Sequence, residues 1–238
     1  MSDWRQHVYR QYVSVHYGNH NRLDPSGYEL AAQRYARTWD PVLPVDRDVS
    51  CLDIGCGPGL FLYYLRRQGF KQIHGVDLSS EGICIARDMG FDVTVSDATT
   101  FLARAYADGK KYGLLAAIDV IEHLTRQELF DFLIQAAAVI EEDGRMFIRT
   151  INASSLIGGW GRYMDITHQL AFTEDSLREL FLSTGFRRVE IVETVDRRLV
   201  GRIRKWLKRA VYWGIYRVIE GWQPPRAVDV VITAAVYK

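Results

Sequence analysis

The sequence predicts an α/β fold built on a mostly parallel sheet, and three observations carry that prediction. Seven short apolar strands alternate with helical stretches from about residue 50 onward, the pattern of parallel strands joined by helical crossovers. Apolar residues make up 48% of the chain and charged residues 25%, with only 6 Pro, so a core can be buried and a disordered or collagen-like chain is excluded. A length of 238 residues suits one such core with appendages.

Ser50 to Ile54 reads as the first strand and Leu60 to Gln68 as a helix. Ile73 to Val76 is a second strand, followed by a helix from Ser80 to Met89 that Gly90 ends. Asp92 to Ser96, Gly113 to Ile118 and Arg145 to Ile151 are further strands, separated by helices near Thr99 to Tyr106 and over Thr125 to Glu141. Asp143-Gly144 supplies a turn before the fifth strand. Thr173 caps a helix running to Thr184, and Gly185 stops it. Val189 to Val195 and Val228 to Val236 complete the sheet.

Two stretches stand apart from this alternation. Trp4 to His16 and Gly27 to Trp39 read as helices before the sheet, which makes residues 1–45 an N-terminal helical lid and residues 46–238 the main domain. Tyr9, Tyr12, Val13, His16 and Tyr17 form a stripe that either packs on the domain or, through Tyr12, His16 and His20, closes over a ligand. Residues 197–225 are too long for a hairpin connection and read as a helical insertion before the last strand.

Lys and Arg number 30 against 29 Asp and Glu, so no global field draws the chain to nucleic acid. Cys51, Cys56 and Cys84 lack paired CxxC spacing, which argues against a disulfide framework or a four-ligand zinc site and for reduced thiols. With no apolar leader and no uncharged run of spanning length, the expected location is cytoplasmic.

The chemistry concentrates at strand ends. Leu52-Asp53-Ile54-Gly55-Cys56-Gly57-Pro58-Gly59 follows an apolar strand and opens a helix, so a ligand can approach bare backbone at the carboxyl edge of the sheet. Its G-x-G-x-G spacing differs from the G-x-G-x-x-G of dinucleotide sites, and Pro58 removes a donor, which disfavours NAD. Asp77, in Gly75-Val76-Asp77-Leu78-Ser79, can accept both hydroxyls of a ribose, which implies a nucleoside.

These residues, with Ser96-Asp97-Ala98 and Asp119-Val120-Ile121-Glu122-His123-Leu124, resemble the class I S-adenosylmethionine-dependent methyltransferases over about residues 48–195. The resemblance implies a Rossmann-like, doubly wound, seven-stranded sheet with an antiparallel last strand. It also implies S-adenosylmethionine as cofactor, held by Asp53, Gly55, Gly57, Gly59, Asp77, Leu78, Asp97, Ala98 and Asp119. For Asp97 a plain helix cap is the alternative.

The Asp119 to His123 stretch is similar to that of ubiquinone-biosynthesis-type O-methyltransferases, where such groups hold a divalent metal; Asp119, Glu122 and His123 are the matching ligands here. Magnesium is not expected, since three such side chains fill its octahedron poorly. His123 is instead the first candidate for a general base that takes the proton of an acceptor hydroxyl, the alternative being that Glu122 and His123 cap the next helix. The loop Asn152 to Phe172 carries Asp165-Ile166-Thr167-His168, similar to the D-x-T-H stretch of glycan methyltransferases. It offers His168 as a second candidate base with Asp165 as its orienting partner.

The expected acceptor is accordingly a hydroxyl of a small molecule or glycan, including a lipid-linked sugar of a bacterial surface polysaccharide. A nucleic-acid methyltransferase is the second reading, but Gln223-Pro224-Pro225 lies outside the context that its amine-methylating enzymes need. A cofactor-binding scaffold without chemistry is the third, and it would not need two histidines beside the site. In the insertion, Arg197, Arg198, Arg202, Arg204, Lys205, Lys208, Arg209 and Arg217 occur without an acid. Val200, Ile203, Leu207, Val211, Ile215 and Val218 form an apolar stripe beside Trp206, Tyr212, Trp213 and Trp222. Residues 197–222 therefore face an inner membrane leaflet, the domain's own sheet or the partner subunit of a homodimer.

Overall fold

The computed structural model describes residues 8–9, 12–17, 23–194, 199–221 and 223–238. Trp4, His20, Arg197, Arg198 and Trp222 lie outside the described residues, as does the side chain of His16. Helix α1 (Pro25–Trp39) precedes strand β1 (Cys51–Ile54), followed by α2 (Leu60–Arg67), β2 (Ile73–Asp77), α3 (Ser80–Asp88), β3 (Asp92–Val95), α4 (Ala98–Ala107) and β4 (Tyr112–Ile118). The chain continues through α5 (Arg126–Val139), β5 (Ile140–Ile151), α6 (Gly158–Tyr163), α7 (Glu174–Ser183), β6 (Arg188–Ile191), α8 (Leu199–Trp213) and β7 (Val231–Tyr237).

The seven-stranded sheet has the order β3-β2-β1-β4-β5-β7-β6. The pairings of β1 through β5 are parallel, and β7 runs antiparallel between β5 and β6. This is the doubly wound arrangement with an antiparallel last strand. Strand order reverses beside β1, which opens a crevice at the carboxyl ends of β1 and β4, the place where open α/β sheets bind ligands.

Every residue of β4 is buried, because helices cover both faces of the sheet. Its side chains alternate between two cores with period two. Leu115 and Ala117 join Leu52, Ile54, Phe132 and Phe181 on one side. Leu114 and Ala116 join Phe61, Tyr64, Trp39 and Phe147 on the other. Trp39 stacks on Phe147 with ring centroids 4.5 Å apart. Thus α1 belongs to the second core, and the Tyr28 hydroxyl donates to the Pro58 carbonyl at 2.7 Å, tying α1 to the glycine turn.

Several boundaries depart from the sequence reading, among them the last strand, which begins at Val231 rather than Val228. Asp143-Gly144 does not end before a strand: pairing of β4 with β5 jumps from Tyr112–Ile140 to Leu114–Arg145, so residues 141–144 form an irregularity inside β5. Gly144 permits it, since a Cβ there would lie 2.6 Å from Ile140 Cγ2. Helix α5 consequently stops at Val139 rather than Glu141. Strand β6 ends at Ile191, shorter than expected, although the Val192 N–H still donates to the Thr233 carbonyl at 2.8 Å. Among the described residues, no helix is long and apolar enough to cross a membrane.

Candidate active site

A cavity of about 820 Å³ fills the crevice and is lined by the ends of β1, β2 and β4, the start of α4 and parts of the Asn152 to Phe172 loop. One wall is the glycine turn. A Cβ on Gly55 would lie 2.4 Å from Val120 Cγ2 at a backbone φ of +72°, so only glycine fits between the two strand ends. At Gly57 a Cβ would meet nothing within 4 Å, and this bare position faces open cavity. Gly59 does not line the cavity; it begins α2 with its Cα against Phe91, where a Cβ would come within 3.0 Å.

Asp77 ties this turn to β2. One carboxylate oxygen accepts the Gly57 N–H at 2.8 Å and the other the Ser79 N–H at 2.7 Å. Burial raises its pKa, with the backbone donors pulling the other way. Each oxygen keeps a further lone pair for a ligand hydroxyl. Asp53 lies behind it, its carboxyl held well above the usual range by burial and then by the Asp77 charge. Leu78, Asp97 and Ala98 line the same wall. Asp97 is also the cap of α4, accepting from the Thr100 N–H at 2.9 Å and the Thr99 hydroxyl at 2.7 Å. Burial opposes its ionisation, but these bonds outweigh it and its pKa falls below the usual value.

Strand β4 ends in a conformation unusual for a side-chain-bearing residue: Asp119 has a φ of +57°. Arg149, from the adjacent strand, grips it with both arms, Nε donating to Oδ1 at 2.8 Å and Nη2 to Oδ2. An arginine inside the apolar run Met146 to Ile151 is the visible signal for such a partner.

Glu122 and His123 follow in a short 3₁₀ turn. They do not cap α5, whose start is a capping box of Thr125 and Glu128. Glu122 is buried, accepts the Thr150 hydroxyl at 2.9 Å, and has its pKa raised by burial and then by Asp119.

The Asn152 to Phe172 loop returns across the mouth and completes the opposite wall. Among the described residues, Asp165 accepts hydrogen bonds from the Tyr12 hydroxyl at 2.8 Å, the Thr167 N–H at 2.8 Å and the Thr167 hydroxyl at 2.6 Å. Burial pushes its pKa up, yet these bonds outweigh it and hold the pKa at about 2, so it is ionised. Thr167 Oγ1 also lies 2.8 Å from His123 Nδ1. The single Thr167 proton goes to the carboxylate, so its oxygen must accept from His123 Nδ1–H, which leaves the lone pair of this imidazole on Nε2.

The orienting contact of Asp165 therefore runs through Thr167 to His123 and not, as expected, to His168. His168 donates from Nδ1 to the Gly161 carbonyl at 3.0 Å, and burial lowers its pKa. The two imidazole centroids are 4.8 Å apart, and the Tyr9 and Tyr12 rings meet His123 edge-on. The position of Thr167 inside Asp165-Ile166-Thr167-His168 made it visible, but only the return of the loop shows its partner.

Ligand atoms of Glu122, His123 and His168 lie within 4.8 Å of one another, while Asp119 is committed to Arg149 and stands outside this cluster. Two imidazoles beside a single carboxyl do not fit magnesium, which takes oxygen donors. The glycine turn, by contrast, fits S-adenosylmethionine: Gly57 presents bare backbone and Asp77 a double acceptor.

The fold and this wall are those of the class I S-adenosylmethionine-dependent methyltransferases. The chain belongs to the methyltransferase-domain family, whose model matches residues 22–191. It is 33% identical over 117 residues to a ubiquinone biosynthesis O-methyltransferase of Bartonella quintana, a region covering 48% of this chain and 46% of that protein. The chain thus spans about half the length of the curated relatives it matches.

A methyltransferase of Archaeoglobus fulgidus that depends on the same cofactor shares the fold with a TM-score of 0.66 and 23% identity, over 89% of this chain and 94% of its own. Magnesium protoporphyrin IX methyltransferase of Synechocystis, solved with S-adenosylmethionine bound, does so with a TM-score of 0.56 and 14% identity, over 98% and 96%.

Proposed function

We propose that this chain methylates a hydroxyl of a small molecule or glycan, using S-adenosylmethionine. The observation that carries the reading is the hydrogen-bonded series Asp165–Thr167–His123, which orients an imidazole with its Nε2 lone pair at the end of β4. When bound, the cofactor supplies an electrophilic methyl on a sulfonium, whose C–S bond breaks toward sulfur as the acceptor O–C bond forms. Gly57 and Asp77 hold it, with Asp97 and Ala98 on the same wall.

His123 Nε2 receives the hydroxyl proton as the oxygen attacks, and the ionised Asp165, acting through Thr167, stabilises the imidazolium that results. Tyr9 and Tyr12 cover His123 and exclude water from this step. His168, kept neutral by burial, lies close enough to bind the acceptor from the other side. The hydroxyl acceptor is supported by the relatives named as O-methyltransferases. A sugar of a bacterial surface polysaccharide is the finer acceptor we infer, on the likeness of the Asp165 to Thr173 stretch to glycan methyltransferases. Three free cysteines, Cys51, Cys56 and Cys84, support a cytoplasmic setting.

The test is mass spectrometry of products formed from S-adenosylmethionine and separate pools of phenols, nucleotide sugars and lipid-linked sugars. A methyl ether in one pool, lost in His123→Ala and insensitive to chelator, is the expected result. Methylation at nitrogen, or a chelator-abolished activity that magnesium restores, would overturn the assignment of His123 as base.

A further inference from the structure

Helix α8 is amphipathic, and it docks on the domain by its polar side. Lys205 pairs with Glu193 at 2.9 Å and Lys208 with Asp229 at 2.7 Å, while Arg209 also reaches Glu193. Gly201 and Tyr212, which share that face by helical spacing, are its buried residues. The Tyr212 hydroxyl accepts from the Leu156 N–H at 2.8 Å, which seats the helix on the loop that closes the cavity.

The apolar stripe points the opposite way. Val200 is 77% exposed, Ile203 50%, Trp206 67% and Leu207 53%. A helix that covers a core does the reverse, so this stripe is not the domain's own packing surface. The sequence reading in which the stripe packs on the sheet is thereby corrected. On the helical wheel Arg202 flanks the stripe on one side and Arg204 on the other, and both are exposed. Ile157 and Trp160 of the closing loop are also exposed, and Trp160 lines the cavity as well.

We infer that this face of α8 docks on an anionic membrane surface. Outward apolar side chains, a tryptophan among them, and flanking arginines are the two features that interfacial helices combine. Charge decides against a second copy of the chain. The described helix from Leu199 to Ile219 contains no acid, so a two-fold pairing of this face would set Arg202 and Arg204 against their own copies.

The experiment is co-sedimentation of the full chain with vesicles of phosphatidylcholine alone and of phosphatidylcholine with phosphatidylglycerol in equal parts, at low and high salt. Two variants accompany it: Ile203→Gln with Trp206→Gln and Leu207→Gln, and Arg202→Glu with Arg204→Glu. Among the described residues these positions carry no ion pair to the domain, so thermal midpoints should match the wild type. The expected result is salt-sensitive binding to the anionic vesicles only, weakened about tenfold or more in each variant. Failure of the wild type to bind, or equal binding by both variants, would overturn the inference. So would a dimer in light scattering that the glutamine variant dissolves while no vesicle binding is seen, which would give the face to a second copy.

Discussion

On the cofactor wall, Gly57, Asp77 and Ser79 come from neighbouring parallel strands and meet through backbone N–H groups, whereas on the acceptor wall the link from Asp165 through Thr167 to His123 runs along side-chain hydroxyl and imidazole groups. The first arrangement is fixed by the sheet itself: once β1 and β2 pair, the turn after β1 has little freedom. The second depends on a loop that crosses the mouth and is anchored by the Gln169 and Leu170 N–H groups donating to the Glu122 carbonyl, at 2.6 and 3.0 Å. Damage to the cofactor wall should therefore lower binding and stability together. Damage to the acceptor wall should lower turnover while leaving the fold intact.

The largest expected effect breaks the acceptor wall. His123→Ala should reduce turnover by roughly 10² to 10⁴, the usual loss for a general base, with binding of S-adenosylhomocysteine unchanged by calorimetry. Asp77→Ala should weaken S-adenosylmethionine binding by about tenfold to a hundredfold, as charge-assisted hydrogen bonds of roughly 1.5 to 3 kcal/mol are lost. Because Asp77 also holds Gly57 and Ser79, this variant should melt earlier as well; an unchanged midpoint with unchanged affinity would erase the distinction between the walls.

Thr167→Val sharpens the comparison. It leaves His123 in place but removes its orienting oxygen, so kcat should fall about tenfold or more while the KM for the cofactor is unchanged. The smallest effect is on pH dependence. Glu122 has a raised pKa in the folded state, so its contribution to stability is present below its unfolded value of about 4.3 and is lost as pH rises through the folded value. Denaturant titrations across pH should show Glu122→Gln losing about 1 to 2 kcal/mol less than the wild type on the alkaline side.

The same difference between walls explains what sequence alone disclosed. The glycine turn, the acid ending β2 and the cap at Thr173 are each contiguous motifs whose own residues carry the signal, and they are legible in the sequence. Asp143-Gly144 was misread because a turn signal does not reveal whether the flanking strand continues through it. Arg149 and Asp119 are far apart in the chain, and only the register of β4 on β5 brings them together. For α8, spacing revealed the apolar stripe but not its direction, since core and membrane both demand the same period.

The central claim is that Thr167 fixes the tautomer of His123, and it needs no knowledge of the acceptor. Nitrogen-15 NMR of imidazole-labelled protein, with His123→Gln used for assignment, reads that tautomer directly. The account predicts a His123 ring protonated at Nδ1, with Nε2 carrying the lone pair, and loss of this preference in Thr167→Val. A wild-type ring protonated at Nε2, or a Thr167→Val spectrum identical to the wild type, would contradict it.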